Sequence, residues 1–309
     1  MAKLYYLQLT RICNQSCRFC SNPPNNKLLE LEKAKKIINY YAKNKAEGII
    51  LTGGEPTLHD KIIEIIKYAK KMNLKVRLIT NGSKTSDYNY FKKLVDTGLD
   101  LIHISIYSHI EKVQEYLTRT KGSLNNILKS IENAGKLGIT LNINTVINHY
   151  NANHLHITAK YLCKKFPFIS HFVYNNLDPG MDRVIEFPDT IPKLNEFEAS
   201  LVLAMRYLDS VGKTFRVERV PLCFMGEYFH CSTETRKIVK GEDRRILFLD
   251  KRGMIIQDKW EYKKSFKCKI CSVKNICAGL YKMNEYYDEK ELSPIFVNIR
   301  EVINKIKKD

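Results

Sequence analysis

The chain has 309 residues, 44% hydrophobic and 27% charged, which describes a folded chain with a sizeable core and excludes a disordered, collagen-like or small disulfide-stapled protein. The 51 Lys and Arg against 33 Asp and Glu leave a formal net charge of +18, a surface that attracts anions; the basic residues are scattered over helix faces, so solubility alone is an alternative to nucleic acid as their reason. No apolar run approaches the ~20 residues of a bilayer span and the start lacks a signal-peptide pattern, so a cytoplasmic chain with no membrane partner is expected.

From residue 3 to about 182, short β-branched or aliphatic runs alternate with amphipathic stretches, the pattern of repeated β-α units and a parallel sheet. Strands are expected at 4–10, 48–52, 75–80, 101–106, 140–146 and 171–174, with helices at 31–42, 60–72, 88–96, 124–136 and 153–164 between them. Asn73, Gly98 and Gly138 punctuate helix ends, and Asp60 and Ser123 lie near starts. Periodicity does not separate a doubly wound sheet from part of a barrel; in both, chemistry belongs on the loops leaving the C-terminal ends of the strands. Pro179, Gly180, Pro188 and Pro192 then interrupt regular structure and read as a linker, followed by a helix at 195–210 and strands at 215–220, 246–249 and 254–256. The expected division is 1–185, 186–212 for linker and helix, and 213–309 with a C-terminal helix.

Nine cysteines exceed what packing needs, and clustered thiols in a reducing compartment mean metal or redox chemistry. Cys163 falls on a helix pattern and reads as a small buried hydrophobe. Cys13, Cys17 and Cys20 form C-x3-C-x2-C directly after the first strand, with no further Cys or His in the next thirty residues. Soft thiolates suit an iron–sulfur cluster with one iron left open, or zinc borrowing a distant fourth ligand. At the end of the second strand stands Thr52-Gly53-Gly54-Glu55-Pro56, two glycines that allow close backbone approach and a carboxylate for a cationic group. Cys268, Cys271 and Cys277 form C-x2-C-x5-C, with Cys223 chosen as the fourth ligand and Cys231 as the alternative; taken alone, zinc and iron–sulfur fit this set equally.

The two N-terminal motifs, in this order and spacing, resemble the radical S-adenosylmethionine (radical SAM) superfamily. The resemblance covers roughly the first 180 residues and implies a partial (β/α)6 TIM-like barrel in an α/β fold. It implies that Cys13, Cys17 and Cys20 bind three irons of a [4Fe–4S] cluster whose fourth iron holds S-adenosylmethionine. It further implies that Phe19 lies beside the cofactor, that Gly53, Gly54 and Glu55 meet the methionyl amino group with Pro56 shaping the turn, and that Ser105 and Asn144 touch the ribose and carboxylate. A capping serine and an exposed strand asparagine are the alternatives for the last two; Thr80-Asn81-Gly82 also resembles the family. For the C-terminal part the resemblance implies a smaller cysteine-rich SPASM/twitch-like domain, with one auxiliary [4Fe–4S] cluster on Cys223, Cys268, Cys271 and Cys277.

The activity so implied is reductive cleavage of S-adenosylmethionine to a 5′-deoxyadenosyl radical, with a peptide or protein as the leading substrate and an acidic ferredoxin or flavodoxin as electron donor. The first strand begins at Leu4, leaving no room before it for a leader-binding module, which weighs against the peptide reading. A nucleotide, RNA or small metabolite is the second reading, motivated by the charge and by Arg216, Arg219, Arg244 and Arg245; a non-catalytic iron–sulfur electron carrier is the third. No catalytic acid or base can be named; Tyr107, His109, Arg119, Tyr174, Asp178 and Asp182 are the candidates.

Overall fold

The computed structural model describes residues 3–308. Its strands are β1 (Leu4–Thr10), β2 (Gly48–Gly53), β3 (Lys75–Thr80), β4 (Leu101–Ser105), β5 (Thr140–Ile147), β6 (His171–Asn176), β7 (Thr214–Glu218), β8 (Arg244–Leu247) and β9 (Met254–Gln257). Its helices are α1 (Leu31–Lys43), α2 (Ile62–Lys71), α3 (Tyr88–Asp96), α4 (Glu111–Thr118), α5 (Ser123–Leu137), α6 (Leu155–Lys165), α7 (Asp182–Glu186), α8 (Leu194–Ser210), α9 (Thr233–Lys240) and α10 (Ile299–Lys308). None of these helices is long and apolar enough to cross a membrane.

Helix and strand periods account for the layers. On α2, Ile62, Ile65, Ile66 and Ala69 recur at helical spacing and are all buried, each large side chain contributing roughly 1.5–3 kcal/mol on leaving water. The α3 start is fixed by the Asp87 side chain, which accepts from the Tyr90 amide at 2.9 Å. On β1, Tyr5, Leu7 and Leu9 are buried, and the Tyr5 ring meets Tyr41 of α1 at 5.1 Å.

The sheet order is β7-β6-β5-β4-β3-β2-β1-β8-β9. From β1 to β7 every strand pairs in parallel with its sequence neighbour. A doubly wound sheet reverses direction at a switch point; this order has no reversal, so the architecture is the partial barrel. It gathers the C-terminal ends of β1 to β5 on one rim.

The expected division at 186–212 is corrected. β7 continues the sheet parallel to β6, and β8 pairs with the free side of β1 through Tyr6 and Leu7 opposite Ile246 and Leu247. Between β6 and β7, α8 buries Phe197, Leu201, Met205 and Leu208 in the same apolar core that contains the strands. It is therefore a crossover helix of the barrel. The proline-rich stretch before it holds α7, whose Val184 is fully buried against Phe19, Tyr107, Leu117 and Leu177 in a second apolar cluster.

Candidate active site

At the rim a cavity of about 170 Å³ is lined by Cys13, Cys17, Cys20, Phe19, Gly53, Gly54, Glu55, Ser105 and Asn144. These residues, expected from separate motifs, meet because their strands end side by side. Pro56 is outside the lining; it opens the 3-10 turn Pro56–Leu58. Tyr107, Gln15, Asn22, Thr80 and Asn81 also stand in the wall.

The glycine pair lies against the protein's own backbone. A Cβ on Gly53, where φ is 137°, would lie 2.1 Å from the Thr10 carbonyl oxygen, and one on Gly54 would lie 2.3 Å from that of Ile12. The Gly54 amide donates to Thr10 O at 2.6 Å and the Glu55 amide to Ile12 O at 2.8 Å. The glycines thus allow the end of β2 to press against the backbone entering the cysteine loop.

Glu55 is completely buried. Its Oε1 accepts from the Thr57 amide at 3.1 Å, Thr57 Oγ1 at 2.6 Å and Thr80 Oγ1 at 2.7 Å, and its Oε2 accepts from the Asn81 amide at 2.7 Å. Burial raises its pKa against the pull of these donors. Glu55 therefore ties the ends of β2 and β3 together, with Oε1 accepting three of these bonds and Oε2 one.

The three thiols share one environment. Burial pushes Cys13 up to about 11 and raises Cys17 and Cys20, with the neighbouring thiols adding to the effect at Cys13 and Cys17. Amide donors already face sulfur: Gln15 N to Cys13 Sγ and Asn22 N to Cys20 Sγ, each at 3.4 Å, and Asn81 Nδ2 to Cys13 Sγ at 3.9 Å. The Gln15 Nε2 is buried and has no hydrogen-bond partner. Three soft sulfurs on one loop, with surrounding donors suited to bearing negative charge, fit an iron–sulfur cluster. Among the described residues no group of three or more His, Cys, Asp or Glu is arranged to hold a single metal ion.

Of the acid–base candidates, Tyr107 alone lines the cavity. Its ring packs edge-on to Phe19 at 4.7 Å, and burial, followed by the nearby thiols, raises its pKa well above the usual phenol value. His109 Nδ1 is engaged with Thr158 Oγ1 at 2.9 Å, Arg119 ends α4 in a left-handed conformation, and Tyr174 is a core residue. Asp178 accepts from the Tyr281 hydroxyl at 3.1 Å, and Asp182 opens α7.

A second cavity is lined by Cys223, Cys268, Cys271 and Cys277 together with Lys264 and Lys274. Cys231 is not in that lining; it is buried as the last residue of the turn Phe229–Cys231. Burial pushes Cys223 up to about 12, with Cys277 and Cys268 adding to the rise. The Ile295 amide donates to Cys271 Sγ and the Gly279 amide to Cys277 Sγ, both at 3.4 Å. Cys163 is a buried core residue, as its helix pattern predicts.

The arginines that motivated a phosphate-rich partner are largely engaged within the chain. Arg244 pairs with Glu218 at 2.7 Å, Arg245 with Asp243 at 3.0 Å, and Arg219 donates to Asn176 O at 2.9 Å. Sequence reasoning missed Gln15 and Asn22, which carry no motif beyond their place beside the cysteines. It also missed Arg183, whose Nη2 donates to Ser16 Oγ of the cysteine loop at 3.1 Å across 167 residues.

A partial barrel whose first loop presents three thiols to a rim cavity, opposite a Gly-Gly-Glu turn, defines a cluster-binding class of α/β protein. The radical SAM superfamily model matches residues 7–162, and the chain belongs to that superfamily. It is thereby an enzyme of a family that uses a [4Fe–4S] cluster and S-adenosylmethionine.

Among curated relatives, a probable GTP 3′,8-cyclase of Methanococcus maripaludis is 29% identical over 204 residues, covering 64% of this chain and 63% of the relative. The 7,8-dihydro-6-hydroxymethylpterin dimethyltransferase of Methanocaldococcus jannaschii is 25% identical, covering 97% of this chain and 64% of the relative. The chain thus spans somewhat under two thirds of these relatives' lengths. Among solved structures, anSMEcpe with bound AdoMet has a TM-score of 0.66 at 16% identity, covering 99% of both chains. Streptococcus suis SuiB bound to S-adenosylmethionine has a TM-score of 0.65 at 15% identity, covering 96% of this chain and 76% of that one. Identity that low speaks for the fold alone.

The expectation of a peptide or protein substrate is corrected by the curated relatives, which are named for GTP and for a pterin. Resemblance to the superfamily could not reveal this, since its barrel and cysteine loop serve many substrates.

Proposed function

We propose that the chain is a radical SAM enzyme acting on a small heterocyclic metabolite of the purine nucleotide or pterin class. The carrying observation is the pair of curated relatives, one a GTP cyclase by name and the other a pterin dimethyltransferase that aligns with nearly the whole chain. Cys13, Cys17 and Cys20 would hold the cluster. With S-adenosylmethionine bound, that cluster supplies one-electron reductive cleavage of a sulfonium and so a radical able to abstract hydrogen.

The chain's own residues bind and orient. Ser105 and Asn144 present a hydroxyl and an amide to the cavity wall; Asn144 Oδ1 is held by Asn175 Nδ2 at 2.7 Å, which fixes that amide's orientation. The Phe19 and Tyr107 rings, both under 9% exposed, close one side against water. Glu55 joins the turn after β2 to the end of β3 through its carboxylate and to the backbone entering the cysteine loop through its amide.

Cys223, Cys268, Cys271 and Cys277 are the proposed ligands of a twitch-like auxiliary [4Fe–4S] cluster, favoured by their sharing one cavity. Four thiolates would close that centre and suit it to electron transfer. A cytoplasmic setting is in keeping with nine cysteines left as free thiols. The test is 5′-deoxyadenosine formation by the anaerobically reconstituted protein with dithionite, S-adenosylmethionine, and either GTP or 7,8-dihydro-6-hydroxymethylpterin. Stimulation and a mass change in one of them are expected; absence of both across purine nucleotides and pterins would overturn the substrate class.

A further inference from the structure

We infer that Arg183, reaching from α7 to the cysteine loop, raises the reduction potential of the cluster which that loop would hold. The inference rests on ligation by Cys13, Cys17 and Cys20. Arg183 Nη2 donates to Ser16 Oγ at 3.1 Å, one residue before Cys17, and its side chain is only 19% exposed. The helix carrying it is fixed in place, because Val184 is fully buried in the apolar cluster that includes Phe19 and against which Cys17 packs.

Two other arginines approach the loop and are differently disposed. Arg11 is buried, and its Nη1 lies 2.6 Å from Asp250, a carboxylate it shares with Arg252. Arg18 lies over the Tyr116 ring at 4.0 Å and the Phe187 ring at 4.6 Å, and its Nε donates to Tyr116 O at 3.1 Å. Arg183 has Glu186 at 3.0 Å as counterion, but that carboxylate is 56% exposed and screened by water.

Reducing a cluster adds one negative charge, so a nearby partly buried cation favours the reduced state. For one partly screened charge the expected change in such an equilibrium is about tenfold, equivalent to about 59 mV for a one-electron couple.

The experiment is an EPR-monitored redox titration of the reconstituted full chain, following the cluster signal that changes when AdoMet is added. Arg183→Gln is expected to lower the potential by about that tenfold factor, and Arg183→Lys by less than half of it. Glu186→Gln should move the potential the opposite way, a sign that a merely structural contact does not give. Ser16→Ala, which removes the hydrogen bond and keeps the charge, should leave it within a factor of two. A shift under twofold in Arg183→Gln, equal shifts in the Gln and Lys variants, or a Ser16→Ala shift matching Arg183→Gln would overturn the inference. Should Arg183→Gln not load iron, the sign of Glu186→Gln and the size of Arg183→Lys still decide. Failure of the wild-type loop to load iron would instead refute ligation itself.

Discussion

Replacing Glu55 by Gln is the sharpest test of the rim's construction. The carboxylate receives four hydrogen bonds in a fully buried site. A Gln carbonyl can take over the three at Oε1, but as neutral bonds, each losing about half of the roughly 1.5–3 kcal/mol net of a charge-assisted one. The amide nitrogen then faces the Asn81 N–H, donor against donor, and leaves a buried amide unsatisfied at about 1–3 kcal/mol. Relief of the buried charge, whose cost is visible in the raised pKa, offsets part of this. The net expected loss is about 3 kcal/mol, read from anaerobic urea unfolding followed by tyrosine fluorescence and circular dichroism. Thr80→Val should cost about 1 kcal/mol alone, and less in the Glu55→Gln background because the two share a bond. A Glu55→Gln loss below about 1 kcal/mol, or strict additivity with Thr80→Val, would refute the reasoning that the carboxylate's main work is to bind these two strand ends.

Cys17→Ala should abolish 5′-deoxyadenosine formation under dithionite, measured by chromatography. The Cys13→Ala, Cys17→Ala, Cys20→Ala triple variant should retain about four irons per chain on the auxiliary cysteines, as one cubane requires; none retained, or zinc in their place, would remove the auxiliary cluster. Cys223→Ala should reduce that retained iron and Cys231→Ala should not, because Cys223 lines the cavity with the other three thiols and Cys231 does not; equal losses in metal analysis would refute the choice. Burial and then the Glu218 carboxylate raise Glu234 above the ordinary value near 4.5. The folded chain therefore binds this proton more tightly than the unfolded one, and stability should fall as pH rises from the unfolded value through the raised one. Glu234→Gln should flatten that segment of a melting-temperature profile between pH 5 and 8; an unchanged slope would exclude Glu234 as its source.

The first six strands were legible because their apolar runs are short, β-branched and separated by helices with clear periodicity. α4 was not, because two of its three buried residues are polar: Gln114 and Thr118 are buried beside Leu117. Gln114 Oε1 there accepts from the Tyr107 and Ser108 amides at 2.8 and 3.1 Å, so the hydrophobic pattern understates the packing. The prolines at 179, 188 and 192 read as a linker because they break periodicity, yet the segment is held by Val184 and Arg183, contacts made with the other end of the chain. The cysteine loop and the Gly-Gly-Glu turn were readable as motifs. That the glycines serve a backbone-to-backbone contact, and Glu55 a junction between strands, depends on the register of β1, β2 and β3 and has no local signature. The substrate class was misread because the barrel's shared motifs say nothing of what enters it.

The clamp between Arg11 and Asp250 joins positions 239 residues apart. Nearby, Gln8 Oε1 accepts from the Leu249 amide at 3.0 Å and Asn25 Nδ2 donates to the Leu249 carbonyl at 3.0 Å, so both flanks of the cysteine loop are pinned by the turn after β8. During synthesis at 5–20 residues per second, roughly 10–50 s separate the emergence of the two halves of this clamp. The three N-terminal thiols thus leave the ribosome long before the scaffold that shapes their loop exists. Insertion of a cluster on these thiols would then wait for the β8–β9 hairpin to emerge, and a chain stalled before that hairpin would expose its thiols to oxygen without the geometry to protect them.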